Sequence, residues 1–375
     1  MKVLVTGGAG FVGSHLVDEL VARGHDVVVY DSLDAQVHVD GGSKPVYLAE
    51  GARFIKGDVR DRERLEKCLL SDGIEVVFHE AAVVGVGQSM YEIRRYVDVN
   101  SVGTATLLDI LANSKHHVRK IVVASSMSIY GEGSYECAEH GTVYPRLRSS
   151  DQLAKHDWEM RCPICGASTS PSLTSEDKPL NPTSTYATSK RDQEELVLQF
   201  GLAYGVPAVA LRYFNIYGTR QSLSNPYTGV AAIFASRLLN GRRPLIFEDG
   251  LQARDFVHVS DVVKANMLAM EQSGADYCAL NVGTGRSTTV KDVALTLATQ
   301  LGLDIEPEIL GEFRAGDIRN CVADIADIRQ RLDFTPATQF ADGMHELAGW
   351  LREAESEDRS EVAMMELRKH GLTSR

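Results

Sequence analysis

No stretch of this chain reaches the ~18 consecutive apolar residues that a membrane-spanning helix needs, so no span is expected. Positive charge is also short. Lys and Arg total 39 against 51 Asp and Glu, a formal net charge of −12. That balance argues against broad binding to nucleic acid or to an anionic membrane. Anionic small ligands stay open, because a few placed arginines can hold them. Cysteine is scarce, with six in 375 residues, and neither internal repeats nor low-complexity tracts occur. The start, Lys2-Val3-Leu4-Val5, runs directly into glycines and leaves no apolar core for a signal peptide. A cytoplasmic protein is therefore expected, with its cysteines as thiols or metal ligands and not as a disulfide frame. Hydrophobic residues at 44% and charged residues at 24% exclude global disorder. The length fits about two domains and a full core.

What is present is a βαβ rhythm. β-Branched apolar runs at Lys2–Thr6, Val27–Tyr30, Arg53–Ile55, Val76–His79, Ile121–Ala124 and Ala208–Leu211 predict strands. Helical spacing lies between them, at Phe11–Arg23, Asp61–Leu70, Tyr96–Leu111 and Ser184–Tyr204. An uninterrupted run such as Val27–Tyr30 is buried on both faces, as parallel sheets require. The class is therefore α/β, a doubly wound parallel sheet. Residues 132–178 break the rhythm and read as an insertion within residues 1–211. Residues 212–352 predict a smaller α+β domain with segments returning to the sheet. There, helices fall near Val230–Leu239, Thr289–Leu301 and Phe340–Arg352, and short strands near Leu245–Phe247 and Ala279–Val282. Residues 353–375 are highly charged and predict a peripheral helix or a frayed tail.

The first strand leads into Gly7-Gly8-Ala9-Gly10-Phe11-Val12-Gly13. Gly7 permits a tight turn, Gly10 lets backbone approach a pyrophosphate, and Gly13 permits close helix–strand packing. A diphosphate then faces the free N–H groups of a helix N-terminus, with Phe11 and Val12 in its first turn. Such glycine spacing counts only between a strand and a helix, and both are readable here. Asp31 follows the second strand, where a carboxylate accepts the ribose hydroxyls and repels a 2′-phosphate. A Rossmann-type site for NAD, and not NADP, is the expectation.

Tyr186 and Lys190 stand at i, i+4 and share one helix face. An ammonium near a phenol favours the phenolate, which makes Tyr186 a usable proton acceptor. Ser126 ends a buried strand at the sheet edge where such chemistry concentrates. Its hydroxyl can bridge a substrate oxygen and the tyrosine.

Three of the cysteines sit in the insertion. Cys137-x-x-His140 and Cys162-x-x-Cys165 are two knuckles separated by 21 residues, 141–161. Three thiolates and one imidazole suit a closed, structural zinc site in a zinc-ribbon-like fold. Free thiols in a loop are the plain alternative, and His156 is the substitute for His140. Cys68, Cys278 and Cys321 read as core fillers.

Taken together, these motifs resemble the extended short-chain dehydrogenase/reductase family, and within it the nucleotide-sugar epimerases. The matching residues are Thr6–Gly13, Asp58-Val59, His79-Glu80-Ala81-Ala82, Asn100, Ser125–Gly131, Tyr186 with Lys190, Arg212–Gly218 and Arg254–Asp261. The resemblance covers nearly the whole chain except the insertion and the tail. It implies a tightly held NAD, with Asp58 and Val59 beside the adenine and Ala81 and Asn100 also lining the cofactor. It implies that Tyr186 takes a proton from the sugar hydroxyl, that Ser126 hydrogen-bonds the reacting oxygen, and that Lys190 binds the nicotinamide ribose. Hydride would pass to the cofactor and return to the other face of a keto-sugar. Asn215, Arg254 and Arg314 fall where the family holds the nucleotide and diphosphate, and guanidinium forks suit phosphate oxygens.

Related dehydratases carry an Asp-Glu pair where this chain has Met127 and Ser128, which speaks against dehydration. The loop Val83–Met90, with Val84 and Gln88, should touch the sugar and holds no Lys or Arg. A uronic acid would want a cation there, whereas a neutral or 6-deoxy sugar suits the loop. That loop, with Ser126-Met127-Ser128 and the cysteine-rich insertion, looks like bacterial proteins grouped as dTDP-L-rhamnose 4-epimerases. UDP-glucose/UDP-galactose 4-epimerisation and net oxidoreduction of a nucleotide sugar are the enzymatic alternatives. A non-catalytic NAD-sensing scaffold is the third, which intact Ser126, Tyr186 and Lys190 oppose. The resemblance also implies a homodimer through the helices at Tyr96–Leu111 and Ser184–Tyr204.

Overall fold

The computed structural model describes residues 1–38, 44–354 and 356–374. Residues 355 and 375 of the charged tail lie outside them. Seven parallel strands form the central sheet: β1 (Lys2–Thr6), β2 (Asp26–Asp31), β3 (Arg53–Lys56), β4 (Val76–His79), β5 (Lys120–Ser126), β6 (Ala208–Tyr213) and β7 (Cys278–Val282). Their order across the sheet is β7-β6-β5-β4-β1-β2-β3. The order reverses between β1 and β4, and ligands bind outside the carboxyl ends of strands at such a switch point. Thr6 is level with Tyr30 and with His79, so the loops after β1, β2 and β4 open at one edge.

Alternation along the strands sorts the core into two layers. Val3, Val5, Val27 and Val29 point to one face, where Leu16, Val17 and Leu20 of α1 (Phe11–Ala22) cover them. Leu4, Val28, Ile121 and Val123 point to the other face. There they meet Leu65 and Leu69 of α2 (Arg62–Ser71), Leu107 and Leu111 of α3 (Gly103–Asn113), and Val197 and Phe200 of α4 (Thr185–Tyr204). The helix starts follow their caps. Asp61 accepts the N–H of Arg64, and Ser184 accepts that of Ala187.

The helix expected over Tyr96–Leu111 is interrupted. A turn at Ile93–Tyr96 passes into a π-helical stretch, Val97–Val102, before α3 begins. The wider turn carries Asn100, whose side chain grips both backbone groups of Val83. Such bulges recur at functional sites.

After β6 the chain builds a second core. Phe234 and Leu238 meet Val293 and Leu297, with Met344 and Leu347 beside them. Between these helices, β7 returns to the edge of the sheet beside β6. The insertion is more regular than its polar sequence predicts. Its strands Ser134–Cys137, Gly141–Val143 and Ser170–Ser172 form a small antiparallel sheet. Of the two forms expected for the tail the helix is found, and its Ala363 and Leu367 are buried. It spans Ser360–Lys369, and Thr373–Ser374 then pairs with Phe313–Arg314. No helix among the described residues is long and apolar enough to cross a membrane.

Candidate active site

A cavity of about 660 Å³ opens at the carboxyl edge of the sheet. Gly7, Gly10, Phe11, Val12 and Gly13 line one end. Gly7 has φ +69°, and a Cβ on it would come within 2.7 Å of the Ala81 nitrogen. A Cβ on Gly13 would stand 2.3 Å from the Gly7 carbonyl oxygen. The turn closes only with glycine, which leaves the start of α1 open to the cavity as a cradle for a pyrophosphate. Asp31 lies beside it, its carboxylate accepting the N–H of Ala9 at 3.0 Å and of Leu33 at 2.8 Å. Those bonds fix its orientation and leave lone pairs for ribose hydroxyls. Asp58 and Val59 line the same end. Arg60 donates to both oxygens of Asp58 and holds its carboxyl below the usual carboxylate range. Ala81 lines the cavity. Asn100 does not: it is fully buried and acts by pinning Val83.

The reacting corner is made by β5 and α4. Ser126, at the end of β5, hydrogen-bonds Tyr186 and accepts from the Ser128 hydroxyl at 2.9 Å. Burial raises the Tyr186 phenol above its ordinary value, and the Ser126 bond pulls it back down. Lys190 lies one helical turn on. Its ammonium donates to the Ala124 carbonyl at 2.7 Å and to Gln193 at 2.8 Å. Burial lowers its pKa to about 8, and the charge on Glu80 opposes that fall. Tyr96 packs edge-on against Tyr186 with ring centres 6.3 Å apart, and its hydroxyl donates to the Val84 carbonyl.

Val84 lies beside this corner through its bond to Tyr96, and Asn215, Arg254 and Arg314 also line the cavity. The Asn215 Oδ1 is buried without a partner, as is Oε1 of Gln252 on the same wall, so acceptors wait for a ligand. The Arg314 guanidinium lies over the Phe247 ring at 4.6 Å and pairs with Asp317 at 2.8 Å. Arg254 donates to the carbonyls of Ala253 and Arg319 at 2.9 Å each and of Ile318 at 2.7 Å. The insertion holds that segment from behind: Glu132 accepts the N–H of Arg319 and of Asn320, both at 2.7 Å. The Gln88 side chain does not reach the cavity. It is buried behind the loop, bonded to Gln36, Glu92 and Tyr96.

Two contributors were not anticipated from sequence. Glu80 lines the corner near Lys190, accepts from the Tyr213 hydroxyl at 2.9 Å, and is raised by burial to about 7. Its place in the His79-Glu80-Ala81-Ala82 run, directly after the buried strand β4, is the available signal. The tail helix supplies Ala363, Met364 and Leu367 to the cavity wall. Its apolar i, i+4 pair, Ala363 and Leu367, was masked by the surrounding charge.

The insertion gathers its knuckles. The donor atoms of Cys137, His140, Cys162 and Cys165 all lie within 4.8 Å of one another. Cys137 Sγ is 3.6 Å from His140 Nδ1 and 3.8 Å from Cys165 Sγ, and Cys162 Sγ is 3.8 Å from His140 Nδ1. A tetrahedron with ~2.3 Å metal–sulfur bonds has edges of ~3.8 Å. These four residues could therefore hold a tetrahedral metal. His156 is not among them and packs on Trp158 instead. Cys68 and Cys321 are buried and Cys278 is half-buried; none joins the cluster.

The model of the NAD dependent epimerase/dehydratase family matches residues 3–150 and 162–283. A dTDP-L-rhamnose 4-epimerase from Burkholderia thailandensis is 35% identical over 351 residues, 93% of this chain and 94% of that one. The structure of the Thermotoga maritima UDP-glucose 4-epimerase with UDP-glucose superposes with a TM-score of 0.77 at 32% identity, covering 94% of this chain and 99% of that chain. The Thermus thermophilus UDP-glucose 4-epimerase in complex with NAD gives 0.75 at 30% identity, covering 95% and 100%.

Proposed function

The chain belongs to the NAD dependent epimerase/dehydratase family, and from that premise we propose that it is a nucleotide-sugar 4-epimerase that retains NAD. The carrying observation is the convergence of Ser126, Tyr186 and Lys190 on the cavity that the glycine turn opens. NAD held by Gly7, Gly10, Gly13 and Asp31 would supply the acceptor and donor for a hydride. Tyr186 takes the proton of the C4 hydroxyl, and Ser126 donates to the same oxygen. Lys190, as ammonium, favours the phenolate. Arg254 and Arg314 hold the diphosphate. With the diphosphate fixed, the uncharged loop around Val84 lets the 4-keto sugar turn and present its other face. Tyr186 then returns the proton. Met127 and Ser128 supply no acid–base pair, so water is not eliminated.

Asp31 supports NAD over NADP. The absence of Lys and Arg from Val83–Met90 supports a dTDP-6-deoxyhexose such as dTDP-L-rhamnose, as does the Burkholderia relative. The structural neighbours favour the second reading, UDP-glucose 4-epimerisation. The Cys137, His140, Cys162 and Cys165 spacing supports a structural zinc. Exposed Ile93, Val97 and Val102, in the helical turns that lead into α3, support a homodimer. The chain's composition supports a cytoplasmic location. The test is an NMR screen of dTDP- and UDP-sugars with no cofactor added. A C4 epimer forms if the proposal holds. A need for exogenous NAD(P)H would identify a net oxidoreductase instead.

A further inference from the structure

The tail helix forms part of the cavity wall. It starts at Ser360, whose hydroxyl accepts from Arg237 at 2.8 Å. Asp358, just before it, pairs with Arg237 at 3.3 Å and Arg242 at 3.1 Å. In its last turn, Leu367 lies against the loop Val83–Met90: a Cβ on Gly87 would stand 3.1 Å from Leu367 Cδ2. At the end, the His370 ring stacks on Tyr91 with centres 4.6 Å apart and planes 4° from parallel. The chain then returns past the diphosphate end. Leu372 accepts the N–H of Ala315 at 2.9 Å, and Thr373 pairs with Arg314. The helix faces differ sharply. Met364 and Leu367 line the cavity, while Met365 is 60% exposed on the opposite side.

From this placement we infer that Met364 and Leu367 are specificity-determining residues for the sugar, forming with Val84 and Val86 an apolar enclosure around C6. The inference rests on the epimerase reading and deepens it. Against these four side chains a C6 methyl is buried without loss. A C6 hydroxyl gives up its water and gains no partner. The enclosure therefore favours a 6-deoxy sugar, although an apolar wall rejects an added hydroxyl only to ~100-fold at most.

The test uses the full chain and a matched pair of substrates on the nucleotide that the wild type accepts. The pairs are dTDP-L-rhamnose with dTDP-L-mannose, or UDP-6-deoxyglucose with UDP-glucose. For Met364→Gln and Leu367→Asn, the ratio of kcat/KM for the 6-deoxy over the 6-hydroxylated sugar falls about tenfold, with bound NAD unchanged. Met365→Gln, on the solvent side, leaves the ratio as it is. If Leu367→Asn does not fold, Met364→Gln decides, because Met364 is only half-buried. A ratio within twofold of wild type in the folded variants overturns the inference and leaves the epimerase reading standing. A wild type that epimerises neither pair overturns both.

Discussion

The Glu80 carboxylate acts on the Lys190 ammonium inside the cavity, each favouring the other's charged form against burial. Lys190, at about 8, carries its charge below that pH and loses it above. Its support for the Tyr186 phenolate is lost in the same range, so kcat should fall on the alkaline side of about 8. Glu80→Gln removes the charge that raises Lys190. The alkaline limb then moves to lower pH, by ~1 unit for one buried charge. A kcat–pH profile of both proteins checks this, and superimposable limbs would refute the coupling.

Tyr186→Phe removes the proton acceptor and its bond to Ser126, while the ring keeps its edge contact with Tyr96. Epimerisation should drop by ~100-fold or more, the usual contribution of a placed acid–base group. NAD content, read by absorbance after denaturation, should stay at the wild-type level. Unchanged turnover would remove Tyr186 from the mechanism.

Glu132 touches no part of the cavity, yet it fixes the backbone whose carbonyls aim Arg254. Glu132→Gln should therefore loosen the diphosphate grip. The expected result is a rise in KM for the nucleotide sugar of about tenfold, roughly one hydrogen bond's worth, with kcat nearly unchanged. A fall in kcat at constant KM would contradict this positioning role.

Metal analysis of the purified protein should find about one zinc per chain, and Cys162→Ser should lower the melting temperature, because a structural metal contributes to folding. Less than about half a zinc per chain would refute the site.

Much of this arrangement is legible in the sequence because local physics dictates it. Gly7 and Gly13 sit where a Cβ would collide with backbone, and Ser184 caps the helix that carries Tyr186 and Lys190. Each cysteine knuckle is equally local, and the fold brings the two together. What was not legible depends on contacts far apart in the chain. Gln88 reads as a sugar ligand until Gln36, 52 positions away, is seen to take its side chain. The charged tail reads as peripheral because its two buried positions, Ala363 and Leu367, acquire meaning only against Gly87 and the cavity. Asn100 marks the π-helical turn, which no propensity predicts, since Val83 and Ser189 reward it from other elements.

The central claim is that the sugar's own hydride leaves C4 and returns to C4 without exchanging with solvent. Incubating an accepted nucleotide sugar in D2O with the purified protein and no added cofactor tests it directly. The account predicts a C4 epimer that keeps protium at C4 by NMR and mass. Deuterium at C4, or no epimer until NAD(P)H is supplied, would contradict it.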